Sequence, residues 1–243
     1  MAIALVTGQL AQASSSGVSS FTISLPNNPT PGNFVVAAVA FGNNSSITAS
    51  SVKDTAATPN TYTATAAGTF TANAQSTGIW FLPNTPASAT KSVAWTFTGS
   101  VFGDFFLGEF SGAATSSPQD VTAVTAAIAS STHYITPSIT TVTNGDLIVC
   151  AAASNGDVGT VGGTGTGATG NGVNAPFTGF SNVGSTNGGG GEYLIQATAA
   201  ARPLDFSLSA AGTGAGAIAA FKAAAAAPAI VPGGGLLTLG VGA

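Results

Sequence analysis

The chain has 243 residues, with four Lys or Arg, eight Asp or Glu and a formal net charge of −4. Only 5% of its residues are charged, against roughly 25% in ordinary soluble domains. Lys53, Lys91, Arg202 and Lys222 are too few and too scattered for the basic face that DNA or RNA demands.

The N-terminal stretch MAIALVTGQLAQASS lacks the basic start and long apolar run of a secretory signal. It is expected to enter the domain directly, as a strand at Ile3–Thr7. Short runs rich in Val, Ile, Thr, Phe, Tyr and Trp, bounded by Gly, Pro, Asn and Ser, then predict strands at Ser19–Leu25, Phe34–Phe41, Thr61–Ala66, Thr77–Leu82, Lys91–Thr98 and Phe105–Ser111. A second set is predicted at His133–Ile139, Leu147–Ala153, Glu192–Ala197, Leu204–Ala210 and Ala215–Lys222. Phe34–Phe41 is apolar throughout. It is far shorter than the ~18 residues of a membrane span, and its unbroken apolar character predicts burial on both faces, under a covering layer or another subunit. In KSVAWTFTG, by contrast, Val93, Trp95 and Phe97 alternate with Ser92, Ala94, Thr96 and Thr98, the signature of a half-buried strand. RPLDFSLSA alternates likewise, with Leu204, Phe206 and Leu208 inward. Ala223–Ala227 predicts a helical turn, limited by Pro228.

Adding 113 to the first strand set reproduces the second. Gly32 falls on Gly145, Asn33 on Asp146, Val36 on Val149, Phe21 on Tyr134, Trp80 on Tyr193 and Val93 on Phe206. The expectation is one all-β domain over residues 1–227: a single antiparallel β-sandwich of jelly-roll type, built from duplicated halves at about 13–112 and 126–224 that share a core. Two segments stand apart. The Gly-rich loop 155–191 is either a floppy surface loop or one ordered by a neighbouring subunit or ligand through Phe177 and Phe180. Residues 228–243 form a glycine-hinged apolar arm, with Leu236, Leu237, Leu239 and Val241 expected to dock on the same chain or a neighbour.

Candidate chemistry is sparse. The single Cys150, inside an apolar run, reads as a buried inert thiol, and one cysteine excludes an intramolecular disulfide or a cysteine-based zinc site. His133 is the only histidine and no Gly-x-Ser-x-Gly elbow accompanies it, so a surface or strand-edge role is expected. Asp104 and Glu109 are five apart, and on one strand they would face opposite sides, unlike the flanking carboxyls of a glycosidase. Gly165, Gly167 and Gly170 fit the letters of a dinucleotide loop, but no helix can open at the following residues. Asp54 and Asp157 are isolated acids in turns rather than a calcium loop. Tyr62, Trp80, Trp95 and Tyr193 could stack on sugars, but core packing is expected of Trp80 and Trp95, which sit in strands with apolar same-face neighbours. No metal and no cofactor is expected.

Several stretches together carry a resemblance. These are Gly32-Asn33 before an apolar strand, SVKDTAATPNTYT, GIWFLPNTPASATKSVAWTF and FLGEFSGAATSSPQDVTA. They resemble a β-sandwich module that recurs in phage virion proteins and in bacterial secreted or surface proteins. Asp54, Asn60 and Tyr62 match the module's Asp-Ser-x-Gly-Asn-x-Tyr turn, although the glycine is replaced and the turn is longer. AIAAFKAA matches its closing strand without the terminal proline. The resemblance spans Gly32 to Lys222 and implies the fold and no catalytic set. The expected function is a non-enzymatic structural virion protein of a tailed phage, a capsid decoration, head-fibre or tail component. It would occur as a homo-oligomer or multi-copy lattice, contacting other virion subunits and neither nucleic acid nor membrane. The alternative is a carbohydrate- or receptor-binding adhesin at a phage or bacterial surface.

Overall fold

A computed structural model describes residues 2–42, 46–135, 138–155, 164–165, 172–174, 176–180 and 189–225. Its strands are β1 (Ala4–Ser14), β2 (Val18–Ser24), β3 (Phe34–Gly42), β4 (Ala49–Asp54), β5 (Thr63–Ala72), β6 (Gln75–Leu82), β7 (Ser92–Ser111), β8 (Val124–Ile135), β9 (Ile139–Thr140), β10 (Asp146–Ser154), β11 (Thr164–Gly165), β12 (Gly172–Asn174), β13 (Thr178–Gly179), β14 (Gly189–Gln196), β15 (Ala201–Arg202) and β16 (Asp205–Phe221). The described residues are all-β, and the sheets are antiparallel apart from the two-residue contact of β11 with β12.

The first sheet runs β1-β7-β3-β6-β5, and β2 and β4 flank the other end of β7. The long β7 makes both arrangements. Ser92–Val101 pairs with β2 and β4, whereas Phe102–Ser111 pairs with β1 and β3. The strand therefore crosses a corner from an outer layer into an inner one. Sequence reading splits it in two because Gly99, Ser100, Gly103 and Asp104 resemble a turn; the backbone stays extended through them. Strand β16 does the same in the second half. Asp205–Ser207 pairs with β8 and with β12, Gly214–Ile218 lies between β8 and β10, and the β10 pairing continues to Phe221. At its corner Gly214 is obligatory, because a Cβ there would sit 2.0 Å from the Ala153 carbonyl oxygen.

Three apolar cores result. The central one joins the inner sheets, with Phe34, Val36, Phe81, Phe106 and Phe110 facing Leu147, Val149, Tyr193, Ala219 and Phe221. Rings meet across it: Phe34 and Phe81 lie 4.8 and 5.2 Å from Phe221, and Phe110 lies 5.3 Å from Tyr193. A second core lies between the first inner sheet and its outer layer, holding Val35, Ala37, Val39, Trp95, Phe97 and Phe105. A third, in the other half, holds Ile148, Cys150, Tyr134, Leu204 and Phe206. The sandwich is thus thicker than two layers. Strands β3 and β10 lie in the inner sheets, with the central core on one face and an outer core on the other. This is why their sequences are apolar without alternation: every residue from Phe34 to Phe41 and from Leu147 to Ala153 is buried. The covering layer comes from this chain itself.

The strand orders β7-β3-β6-β5 and β16-β10-β14-β13 correspond. The gapless register inferred from sequence does not hold throughout. Val36 pairs with Phe81, while its counterpart Val149 pairs with Tyr193, so Tyr193 answers to Phe81 rather than Trp80. Trp80 faces the outer core and Tyr193 the central one; a one-residue slip exchanges faces. Sequence reading also misses β4, whose polar ASSVKD pattern suits an edge strand. The expected helical turn at Ala223–Ala227 is absent over 223–225, since Ala223 bridges Ala113 and the Ala224 amide donates to the Gly112 carbonyl; 226–227 lie outside the described residues.

Candidate functional site

Five of the chain's eight acidic residues, Asp54, Asp104, Glu109, Asp146 and Glu192, are buried. A buried carboxylate is costly unless several donors converge on it, so their partners reveal what each is for.

Glu109 lies on β7 and accepts three hydrogen bonds: from Gln9 Nε2 at 2.7 Å, the Thr30 amide at 2.8 Å and Asn33 Nδ2 at 2.6 Å. Gln9, on β1, also grips Asn27, donating to its carbonyl and accepting from its amide. One carboxylate thereby fixes the loop between β2 and β3, the PNNPTPGN stretch. Gly32, with φ of +87°, supplies the left-handed step that aims Asn33 inward. Asp104 occupies the opposite face of β7, as the period of two requires. It accepts from Ser14 Oγ at 2.5 Å and from the Gly189 amide at 2.9 Å, a bond that ties the two halves together. Asn73, in the tight β5–β6 turn, adds another tie by donating to the Ile128 and Gly214 carbonyls. Asp104 and Glu109 are thus divided by the sheet and saturated by this chain.

Asp54 closes the β4–β5 turn. It accepts from the Asn60 amide at 2.8 Å, Asn60 Nδ2 at 2.7 Å and the Thr90 amide at 3.1 Å. Tyr62 is buried beside it, and burial first, then the Asp54 charge, pushes its phenol well above the ordinary range. The three residues that carry the module resemblance in this turn therefore meet in one structural clamp.

Glu192 differs. It lies on β14 opposite Cys150, wholly buried. Its Oε1 accepts the Asp205 amide at 3.1 Å and its Oε2 has no hydrogen-bond partner. Burial pushes its carboxyl well above the ordinary range, and burial with the neighbouring Glu192 does the same to the Cys150 thiol. Cys150 is thus the inert buried thiol the sequence suggests. Asp146, in the place of Asn33 by the 113-residue shift, meets Thr143 and Asp120 near a depression of about 360 Å³ lined by Gln119, Asp120, Val121 and Thr122.

The remaining candidates are also placed. His133 is exposed on β8 and pairs through Nε2 with Asp205 of β16, diagonally across the strand pair. Trp80, Trp95, Tyr62 and Tyr193 are all buried, so none of these rings offers a face to a sugar. Phe177 and Phe180 are 7% and 1% exposed. Phe180 packs against Phe106 and Tyr193 in the central core, and Phe177 fills the third core. These two rings pack in the chain's own interior. Leu236, Leu237, Leu239, Val241 and the match at Gly165–Gly170 fall largely or wholly outside the described residues; of that match only Gly165 is described, paired in β11. Among the described residues no group of three or more His, Cys, Asp or Glu side chains could hold a metal ion.

Asp104 and Glu109 were visible in the sequence as a pair, but their partners Gln9, Ser14 and Gly189 carry no motif. The Asp120–Asp146 pair had one signal, an acid standing where the first half has Asn33. No protein-family profile, curated protein or solved structure matches this chain.

Proposed function

We propose that this chain is a non-enzymatic structural protein of a tailed-phage virion, acting as a rigid tile through contacts with other virion subunits. The observation that carries the reading is the use made of the acids. Asp54, Asp104 and Glu109 each take hydrogen bonds from turns or strands of the same chain, so the residue type best suited to hydrolysis serves to stiffen the scaffold. The outer sheet β2–β7–β4 presents Ser20, Thr22, Ser24, Thr96 and Lys53 to solvent, a face that packs by hydrogen bonds and shape. In this reading the arm 228–243, with Leu236, Leu237, Leu239 and Val241, adds apolar contacts to neighbouring copies, by extending a sheet edge or filling a groove.

Quantitative mass spectrometry of purified particles tests this. Tens to hundreds of copies per particle are expected; one copy, or a chain found only free in solution, rejects the lattice role. Removing residues from Pro228 onward should abolish incorporation while leaving the fold intact, and full occupancy by the truncated chain rejects the arm's role. The alternative, a glycan-binding adhesin, predicts a hit on a glycan array with folded protein.

A further inference from the structure

We propose that Asp146, Thr143 and Asp120 form a proton-dependent latch, fastening the segment that joins the two halves to the second inner sheet. The joining segment, residues 112–123, runs beside the end of β16: the Asp120 amide donates to the Ala220 carbonyl, the Lys222 amide to Pro118, and Gln119 bridges Phe221. Its side-chain anchor is Asp120, which accepts from the Val142 amide at 2.6 Å and from Thr143 Oγ1 at 3.1 Å. Thr143 Oγ1 also touches Asp146 Oδ1, still more closely. A hydroxyl owns one proton and can donate it once. If both carboxylates were ionised, one of those two contacts would join bare oxygens. A proton on Asp146 resolves this, since the acid then donates to Thr143 Oγ1 and Thr143 donates to Asp120.

The extra proton belongs on Asp146 rather than Asp120. Asp146 is buried and its Oδ2 has no hydrogen-bond partner, whereas Asp120 is half-buried. Burial is the largest influence raising the Asp146 carboxyl, to about 6; the Thr143 hydroxyl opposes it, and the close Asp120 carboxyl, through hydrogen bonding and charge, adds to it. Charged groups on the surrounding elements do not neutralise the pair. Arg202, on β15, donates from Nε to Gln196, the residue paired with Asp146 on β14. Lys222 adjoins Ala223 at the end of β16. Among the described residues neither cation forms an ion pair with Asp146 or Asp120. In the first half Asn33 fills the equivalent place and donates an amide to Glu109, a bond that needs no titratable proton. The second half therefore carries a pH-sensitive version of a fixed joint.

The sign follows. In the open form Asp146 titrates like an ordinary Asp, near ~3.9, and in the closed form near 6. The latch is tightest below about pH 4, loosens as pH rises to about 6 and is level above that. A difference of about two units allows up to a hundredfold change in the opening equilibrium.

Amide hydrogen exchange of Val142 and Asp120 in the full chain, corrected for intrinsic rates, tests this from pH 4 to pH 8. Protection should fall by between about tenfold and a hundredfold from pH 4 to 6.5, then level. Asp146→Asn should hold protection constant across the range, and Asp120→Asn should lessen the pH dependence without abolishing it, since the burial of Asp146 remains. A carbon-13 titration of the Asp146 carboxyl in the unmodified chain should show its midpoint near 6. Constant protection in the wild-type chain, an unchanged fall in Asp146→Asn, or a midpoint near ~3.9 each overturns the latch.

Discussion

The Glu109 clamp sets up a quantitative test of what holds the loop before β3. Asn33→Ala removes one of three donors from a fully buried carboxylate. Hydrogen bonds to charged groups contribute about 1.5–3 kcal/mol each, so a loss of about 2 kcal/mol is expected. Glu109→Ala is worse. It strands Gln9 Nε2, the Thr30 amide and Asn33 Nδ2 without their acceptor and leaves a cavity where a fully buried side chain stood. Stranded donors cost about 1–3 kcal/mol each but relax in part, which puts the loss near 4 kcal/mol, at the upper end for single substitutions. The double variant should cost less than the sum by about 1.5–3 kcal/mol, since Asn33 has no acceptor to lose once Glu109 is gone. Urea unfolding at neutral pH, with the midpoint converted at constant slope, measures all three. Additivity within about 0.5 kcal/mol would refute the claim that Asn33 and Glu109 act as one unit.

Two further outcomes follow from the packing and the buried acids. Gly191→Ala places a Cβ 2.6 Å from Phe106 Cγ, at the root of a ring that cannot swing aside. A loss of about 1–3 kcal/mol is expected by thermal or urea unfolding, and a loss below about 0.5 kcal/mol would mean that the two inner sheets are looser than they look. Glu192→Gln removes a carboxyl whose folded pKa is raised. Such an acid makes the native state most stable below ~4.3, its ordinary pKa, and less so as pH rises above it. Asp146 contributes a similar fall only up to about pH 6. Wild-type stability should therefore fall more steeply with rising pH than that of the variant; parallel profiles would show that Glu192 is not buried as described.

The sequence made the strands legible where side chains alternate or run wholly apolar. Val93, Trp95 and Phe97 announce their shared face, and Phe34–Phe41 its double burial. It hid what depends on distant backbone. Whether Gly99–Asp104 was a turn or a corner within one strand depended on β2, β4, β1 and β3 lying on its flanks. Strand β4 was obscured because only Val52 and Asp54 of ASSVKD are buried. The matching strand orders could be sensed from the 113-residue shift, but the slip at Tyr193 could not, because Trp and Tyr look alike as aromatic strand residues. For the polar clusters, each acid was visible and its role was not: the donors to Glu109 come from residues as much as 100 positions away.

The corner-turning strands have a mechanical consequence. Where the layers of a sandwich meet only through side chains, a shearing load is borne by van der Waals contact. Here each outer layer and its inner sheet share one unbroken polypeptide, β7 in the first half and β16 in the second. Sliding an outer layer past its inner sheet would load a covalent backbone and its flanking hydrogen-bond ladders. Peeling the two inner sheets apart would instead strain the central apolar core and a few cross-ties, among them the Asp104 bond to Gly189 and the Asn73 bonds to Ile128 and Gly214. The molecule is riveted within each half and glued between them, so under force the seam between the halves should yield first.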